Sequence, residues 1–220
     1  MLDAVRRWFS WGGSLPAWAE FSAWADAHHW TLKRTIAHDG WAMDHNPAHA
    51  GWRIEWGPAQ RSFMGSHEFR LRVELAESPD VQALVLDRPL LARLDRDLYQ
   101  QFTDSVQTRF DDETPEEMRW LAMHAKLSPN AMGVALRDRY GAIGDEPDWV
   151  SAWLQGPLSD ALKRRADVMP VENVAAEPFV LRLARGQLVI RQSAQAPRAT
   201  LLNACFEVAE AATQALKAAG

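Results

Sequence analysis

The sequence predicts an α+β fold in which a largely antiparallel sheet packs with helices. Three observations lead there. Residues 52–56 and 68–75 alternate strictly between apolar and charged side chains, the period of a strand with one face on a core and one in water. Two short turns, Asp39-Gly40 and Arg185-Gly186, lie between apolar runs where hairpins need them. Helical periodicity fills separate blocks, between and after the strands, instead of alternating with each strand.

Taken in order, residues 2–9 read as a short amphipathic turn ended by Gly12-Gly13. Pro16, after Ser14, opens a helix to about His28, with Trp18, Phe21, Trp24 and Ala25 at helical spacing. Trp30, Leu32 and Ile36 at even positions make residues 30–37 a strand, and Trp41 to Asp44 returns beside it. Trp52, Ile54 and Trp56 should face the core, as should Phe69, Leu71, Val73 and Leu75. Arg53, Glu55, Glu68, Arg70, Arg72 and Glu74 should then share the wet face. Gly57-Pro58 ends the first of these strands, because proline cannot donate to a central ladder.

Val81 to Leu86 is apolar on both sides, which predicts a strand buried on both faces. Pro89 begins a helix carrying Leu90, Leu91, Leu94, Leu98 and Phe102, and Val106, Thr108 and Phe110 alternate as a short strand. Thr114-Pro115-Glu116-Glu117 has the pattern of a capping box with Thr114 at the N-cap. Ser128-Pro129 starts a helix expected to stop at Gly141, and residues 145–167 are helical with a break at Gly156-Pro157. Phe179 to Ala184 and Gln187 to Arg191 form a hairpin, and Pro197 introduces an alanine-rich terminal helix. The chain reads as a single α+β domain, 1–220. Residues 1–13 form a docking or hinged N-terminal segment, and residues 114–167 form a helical block.

Composition narrows the function classes. The 220 residues carry a formal net charge of −5, shared evenly between the two halves. A nucleic-acid binder relies on a basic footprint, and the only local basic run, Lys163-Arg164-Arg165, reads as favourable charge at a helix end. Cys205 is the only cysteine, so an internal disulfide and a thiolate metal cluster are excluded, and its place on the apolar stripe of the last helix makes it core. No stretch approaches 18 apolar residues, and the run after Arg6 and Arg7 is broken by Gly12, Gly13 and Pro16; a cytoplasmic protein is expected.

Tryptophan and histidine mark the first third of the chain: eight of 11 tryptophans lie between Trp8 and Trp56, and six of seven histidines between His28 and His67. His38, Asp44, His45 and His49 are the candidate metal ligands, since imidazole and carboxylate suit zinc or iron. Pro47 keeps His45 and His49 from sharing a regular helix face, so a polar loop is the competing reading. Arg61 and Phe63, in the long connection 57–66, are candidates for contact with a partner. Asp111, Asp112, Glu113, Glu116 and Glu117 form the densest acidic cluster, read as charge favoured at a helix start. No GxSxG, GxxxxGK[ST] or GxGxxG pattern occurs, so no catalytic residue is assigned and no cofactor is implied.

The stretch Trp52 to Leu75, with Gln107-Thr-Arg-Phe and Thr114 to Leu121, resembles a group of uncharacterised bacterial proteins. The resemblance implies a bacterial source and leaves the function unknown. The sequence therefore points first to a non-catalytic binding or scaffold protein. The alternative is a metal-assisted hydrolase using the His38–His49 region. A further reading gives the exposed apolar end, with Trp8, Phe9 and Trp11, a partner, a second copy of the chain or, last in order, a membrane surface.

Overall fold

The computed structural model describes residues 15–37, 39–44, 46–77, 79–104, 114–169 and 177–219. Among them the elements run α1 (Leu15–Ala27), β1 (Thr31–Arg34), β2 (Trp41–Asp44), β3 (Trp52–Pro58), β4 (His67–Glu74), β5 (Ala83–Asp87) and α2 (Arg88–Asp104). They continue with α3 (Glu116–Met123), β6 (Ala125–Lys126), α4 (Pro129–Met132), β7 (Tyr140–Gly144), α5 (Pro147–Trp153), α6 (Pro157–Val168), β8 (Phe179–Ala184), β9 (Gln187–Ser193) and α7 (Ala199–Ala219). The fold is α+β. The strands form one sheet in the order β1-β2-β3-β4-β9-β8-β5-β7-β6, and every neighbouring pair is antiparallel.

Alternation along the strands produces two apolar faces. Met43, Ile54, Phe69, Leu71, Val73, Val85, Leu181 and Ile190 point to one side, where α1, α5, α6 and α7 close over them with Phe21, Trp153, Leu158, Leu162, Leu202 and Phe206. Leu84, Leu86, Ile143 and Val180 point to the other, where α2 and α3 supply Leu90, Leu94, Leu98, Met118 and Trp120. Burying each large apolar side chain contributes about 1.5–3 kcal/mol. Cys205 lies in the larger core, and burial pushes its thiol up to about 12, with Arg165 opposing.

The expected register holds: Ile54, Phe69, Leu71 and Val73 are buried, and Trp52 and Trp56 are partly buried against the core. The charged face is not uniformly wet. Glu68, Arg70 and Arg191 are buried because the β3–β4 connection folds back over them. Glu68 accepts from Gln60 N at 3.0 Å, from Arg70 at 3.1 Å and from Arg191 at 2.6 Å, while Arg70 also donates to Pro58 O at 2.9 Å. Desolvation of this sort is tolerated when each charge is paired.

Four further expectations are corrected. Ile36 lies beyond the end of β1, in the turn, and is fully exposed. Residues 140–144 form strand β7 instead of the end of a helix. Gly141 and Gly144 are there because a Cβ would meet Leu91 Cδ2 at 2.3 Å and Val150 Cγ2 at 2.5 Å, so their absent side chains admit the flanking helices. The capping box is not formed as drawn: α3 begins at Glu116 with Pro115 at its N-cap, and Glu117 is buried and accepts from Arg61 Nε at 2.9 Å. Lys163-Arg164-Arg165 is not a uniform solvated run. Arg164 pairs with Glu207, but Arg165 is buried on the inner side of α6.

Arg165 holds Asp87 through two bonds of 3.2 Å, donates to Tyr140 at 2.9 Å and to Gln192 Oε1 at 3.0 Å, and lies 3.8 Å from the Phe179 ring centroid. Burial works against its charge, but the Tyr140 and Asp87 oxygens more than offset that, so the guanidinium stays protonated. Burial is also the largest influence on Asp87 and holds its carboxyl above the usual range, against the pull of Arg165. All four polar members are enclosed, which makes the group a clamp of α6 on β5, β7 and β9.

Candidate functional site

The site is built where β3 begins. Asn46 caps a single 3-10 turn, Pro47–His49, by accepting from Ala48 N at 2.8 Å, and its amide donates to His28 O at the end of α1. Gly51 then takes a positive φ of 80°, a conformation glycine adopts without strain, and the chain enters β3 at Trp52. This local geometry sets His49 and Trp52 side by side, with ring centroids 4.8 Å apart.

Helix α7 fixes the other side. Phe206 lies 5.1 Å from His49 and 5.5 Å from both Trp52 and Trp24, and Trp30 stacks on His49 at 5.8 Å. Glu210, one helical turn beyond Phe206, accepts from His49 Nε2 at 3.1 Å. That bond places a proton on Nε2. Among the described residues, His49 Nδ1, Trp24 Nε1 and Trp30 Nε1 are buried without hydrogen-bond partners. Such groups cost about 1–3 kcal/mol each, and three in one aromatic group single this region out.

Two clefts flank Trp52. The polar one, about 670 Å³, is lined by Asp44, Asn46, His49, Arg53, Arg72 and Glu74 among others. The apolar one, about 640 Å³, is lined by Trp52, Val73, Leu75, Pro79, Trp149 and Leu216, with Glu74 and Glu77 also present. Ala50, Trp52 and Glu74 belong to both, so the clefts adjoin. Volumes of this size are usual for small-ligand sites.

The cations of the polar cleft are already engaged. Arg53 donates to Glu55 at 2.8 Å and lies 3.6 Å from Asp44, and Arg72 lies 3.5 Å from Glu55. Burial alone would raise the Glu55 carboxyl, but Arg53 and Arg70 outweigh it and hold the group below the usual glutamate range.

Of the residues singled out in the sequence, Asp44 and His49 both line the polar cleft, and Asp44 also accepts from Lys33 at 3.0 Å. His38 and His45 lie outside the described residues, as do Trp8, Phe9 and Trp11, the alternating stretch 106–110 and the acidic residues 111–113. Among the described residues no group of three or more His, Cys, Asp or Glu side chains is arranged to hold a metal ion. Arg61 is held by Glu117, and Phe63 is buried in the smaller core, its carbonyl accepting from Arg93 at 2.6 Å.

Trp149, Glu74, Glu77 and Leu216 were not legible as site residues, because they come from three distant segments with no local pattern. Trp52 carried a signal, standing at the edge of a strand beside Gly51 and a histidine-bearing turn.

Among the described residues no helix is long and apolar enough to cross a membrane. No protein-family model matches the chain, and no curated protein matches it. A solved structure similar in shape is that of the mycobacterial trehalose monomycolate transport factor A, TtfA, with 8% sequence identity, 89% of this chain and 91% of that chain covered, and a TM-score of 0.45.

Proposed function

We propose that the protein is a non-catalytic binding protein whose ligand occupies the adjoining clefts on either side of Trp52. The observation that carries the reading is the shared boundary of Ala50, Trp52 and Glu74, which joins a cleft lined by several charged side chains to one lined by two indoles and aliphatic side chains. Sites of that character orient a ligand by a few polar groups while apolar walls supply contact area. The engaged state of Arg53 and Asp44 favours binding over acid–base work, since their charges are already committed to each other.

Amide and indole chemical shifts, followed while small aromatic fragments are added, test this. Perturbations should cluster on Trp52, Val73, Trp149, Thr213 and Leu216. Shifts confined to another surface would remove the assignment.

A second reading, metal-assisted hydrolysis through His38, Asp44, His45 and His49, is favoured by one observation: Asp44 and His49 line the same cleft from either side of His45 in sequence. Elemental analysis separates the two. Stoichiometric zinc, iron or manganese that disappears in a His45→Ala/His49→Ala variant supports the hydrolase, and metal-free wild-type protein removes it.

A further inference from the structure

The lining of the apolar cleft has a charge asymmetry. It contains two carboxylates, Glu74 and Glu77, and no basic side chain. Glu74 accepts a hydrogen bond from the neutral amide of Gln187 at 2.9 Å, while Arg53 and Arg72 share only the adjoining cleft with it. Among the described residues neither carboxylate forms an ion pair. This differs from the polar cleft, where Arg53 and Arg72 each face a carboxylate. The same cleft is lined by two indoles, Trp52 and Trp149, and by Val73, Leu75 and Leu216. Indole faces attract cations through the ring quadrupole, and carboxylates attract them directly.

We infer that the apolar cleft takes a small organic cation with an apolar body, a protonated or quaternary amine joined to an aryl or alkyl group. The inference rests on the reading of these clefts as the ligand site. Shape and charge act on different parts of such a ligand. Its apolar body replaces water against Trp52, Trp149 and Leu216, and its cationic head meets Glu74 and Glu77. An anion of the same shape would face both carboxylates, and a neutral compound would gain only the apolar contact.

The test uses the full chain and three probes with one aromatic body: benzyltrimethylammonium, N-benzylacetamide and phenylacetate. Affinities come from calorimetric titration, and location from the indole N–H signals of Trp52 and Trp149. The cation should bind at least tenfold tighter than either comparator and shift both indoles. In a Glu74→Gln/Glu77→Gln variant, which changes only exposed side chains, the preference for the cation over N-benzylacetamide should fall by a factor of three or more. Equal affinity for the neutral probe, a preference for phenylacetate, or an unchanged preference in the variant overturns the cation assignment and leaves the clefts as a binding site. If none of the probes moves either indole, the cation assignment and the proposed binding site fall together.

Discussion

Removing the Arg165 guanidinium would leave the Asp87 carboxylate enclosed without its partner. Arg165→Ala is therefore expected to cost about 3–5 kcal/mol in urea unfolding. Replacing both groups by apolar residues, Arg165→Met with Asp87→Leu, is expected to recover most of that loss, because neither desolvation cost then remains. Recovery of nothing would show that Tyr140 and Gln192 need the guanidinium as much as Asp87 does. The sequence did carry a hint of this clamp. Leu158, Ala161, Leu162 and Arg165 recur at helical spacing on one buried stripe, so position 165 belongs to the inner face although its neighbours Lys163 and Arg164 do not. Reading charge type ahead of helical phase hid it. Glu55 offers a test by pH. Its folded carboxyl is depressed, so its contribution is complete above the ordinary glutamate range. As pH falls through that range, the unfolded chain protonates first and the contribution is lost toward the folded value. Glu55→Gln should lower stability by about 1 kcal/mol at neutral pH, and the gap to wild type should close in acid. A gap independent of pH would mean the arginines contribute packing and not charge.

The β3–β4 connection shows what an element owes to its surroundings. Its sequence, with Gly57, Pro58, Gly65 and Ser66, has the look of an exposed loop, and Arg61 and Phe63 accordingly suggested partner contacts. In the fold it is a lid over the charged face of β4 and β9, tied by Arg70 to Pro58 O and by Arg191 to Gln60 Oε1 at 3.3 Å. Phe63 completes the small core under α2. Phe63→Ala is therefore expected to cost about 3–5 kcal/mol, as a core truncation does. A loss below 1 kcal/mol would return the side chain to the surface role. Hairpins and long helices were legible because period and turn chemistry act locally: β2, β8 and α7 follow their patterns closely. Strand β7 was not, because its glycines are explained by Leu91 of α2 and Val150 of α5, side chains that reach them only through the packing of those helices on the strand. The clefts beside Trp52 were hidden because their linings are assembled from segments distant in sequence.

At the scale of the whole molecule, the sheet order departs from the chain order at the exchanged edge strands β7 and β6 and at the inserted hairpin β8–β9, and the second departure governs cooperativity. Strands β1 to β4 form a meander, and β5, β7 and β6 form a second group, but β4 does not pair with β5. The hairpin β8–β9, nearly at the end of the chain, lies between them: Leu71 faces Ile190 across β4 and β9, and Val85 faces Leu181 across β5 and β8. Each group alone would expose a long central edge, with its backbone donors and acceptors unpaired. Helix α7 adds Leu202, Phe206, Ala209 and Ala212 to the larger core and touches both β4 and β9. The last segments thus join the two groups through backbone pairing and through apolar burial together. Closing a sheet through contacts this distant in sequence is costly in chain entropy until the final pairing forms. A chain ending at residue 177 is accordingly expected to show no cooperative thermal transition by circular dichroism, whereas the full chain should unfold in one step in which sheet signal and tryptophan fluorescence change together. A cooperative transition in the shortened chain would mean that the meander and its covering helix fold independently, and that the hairpin only fastens two units already formed.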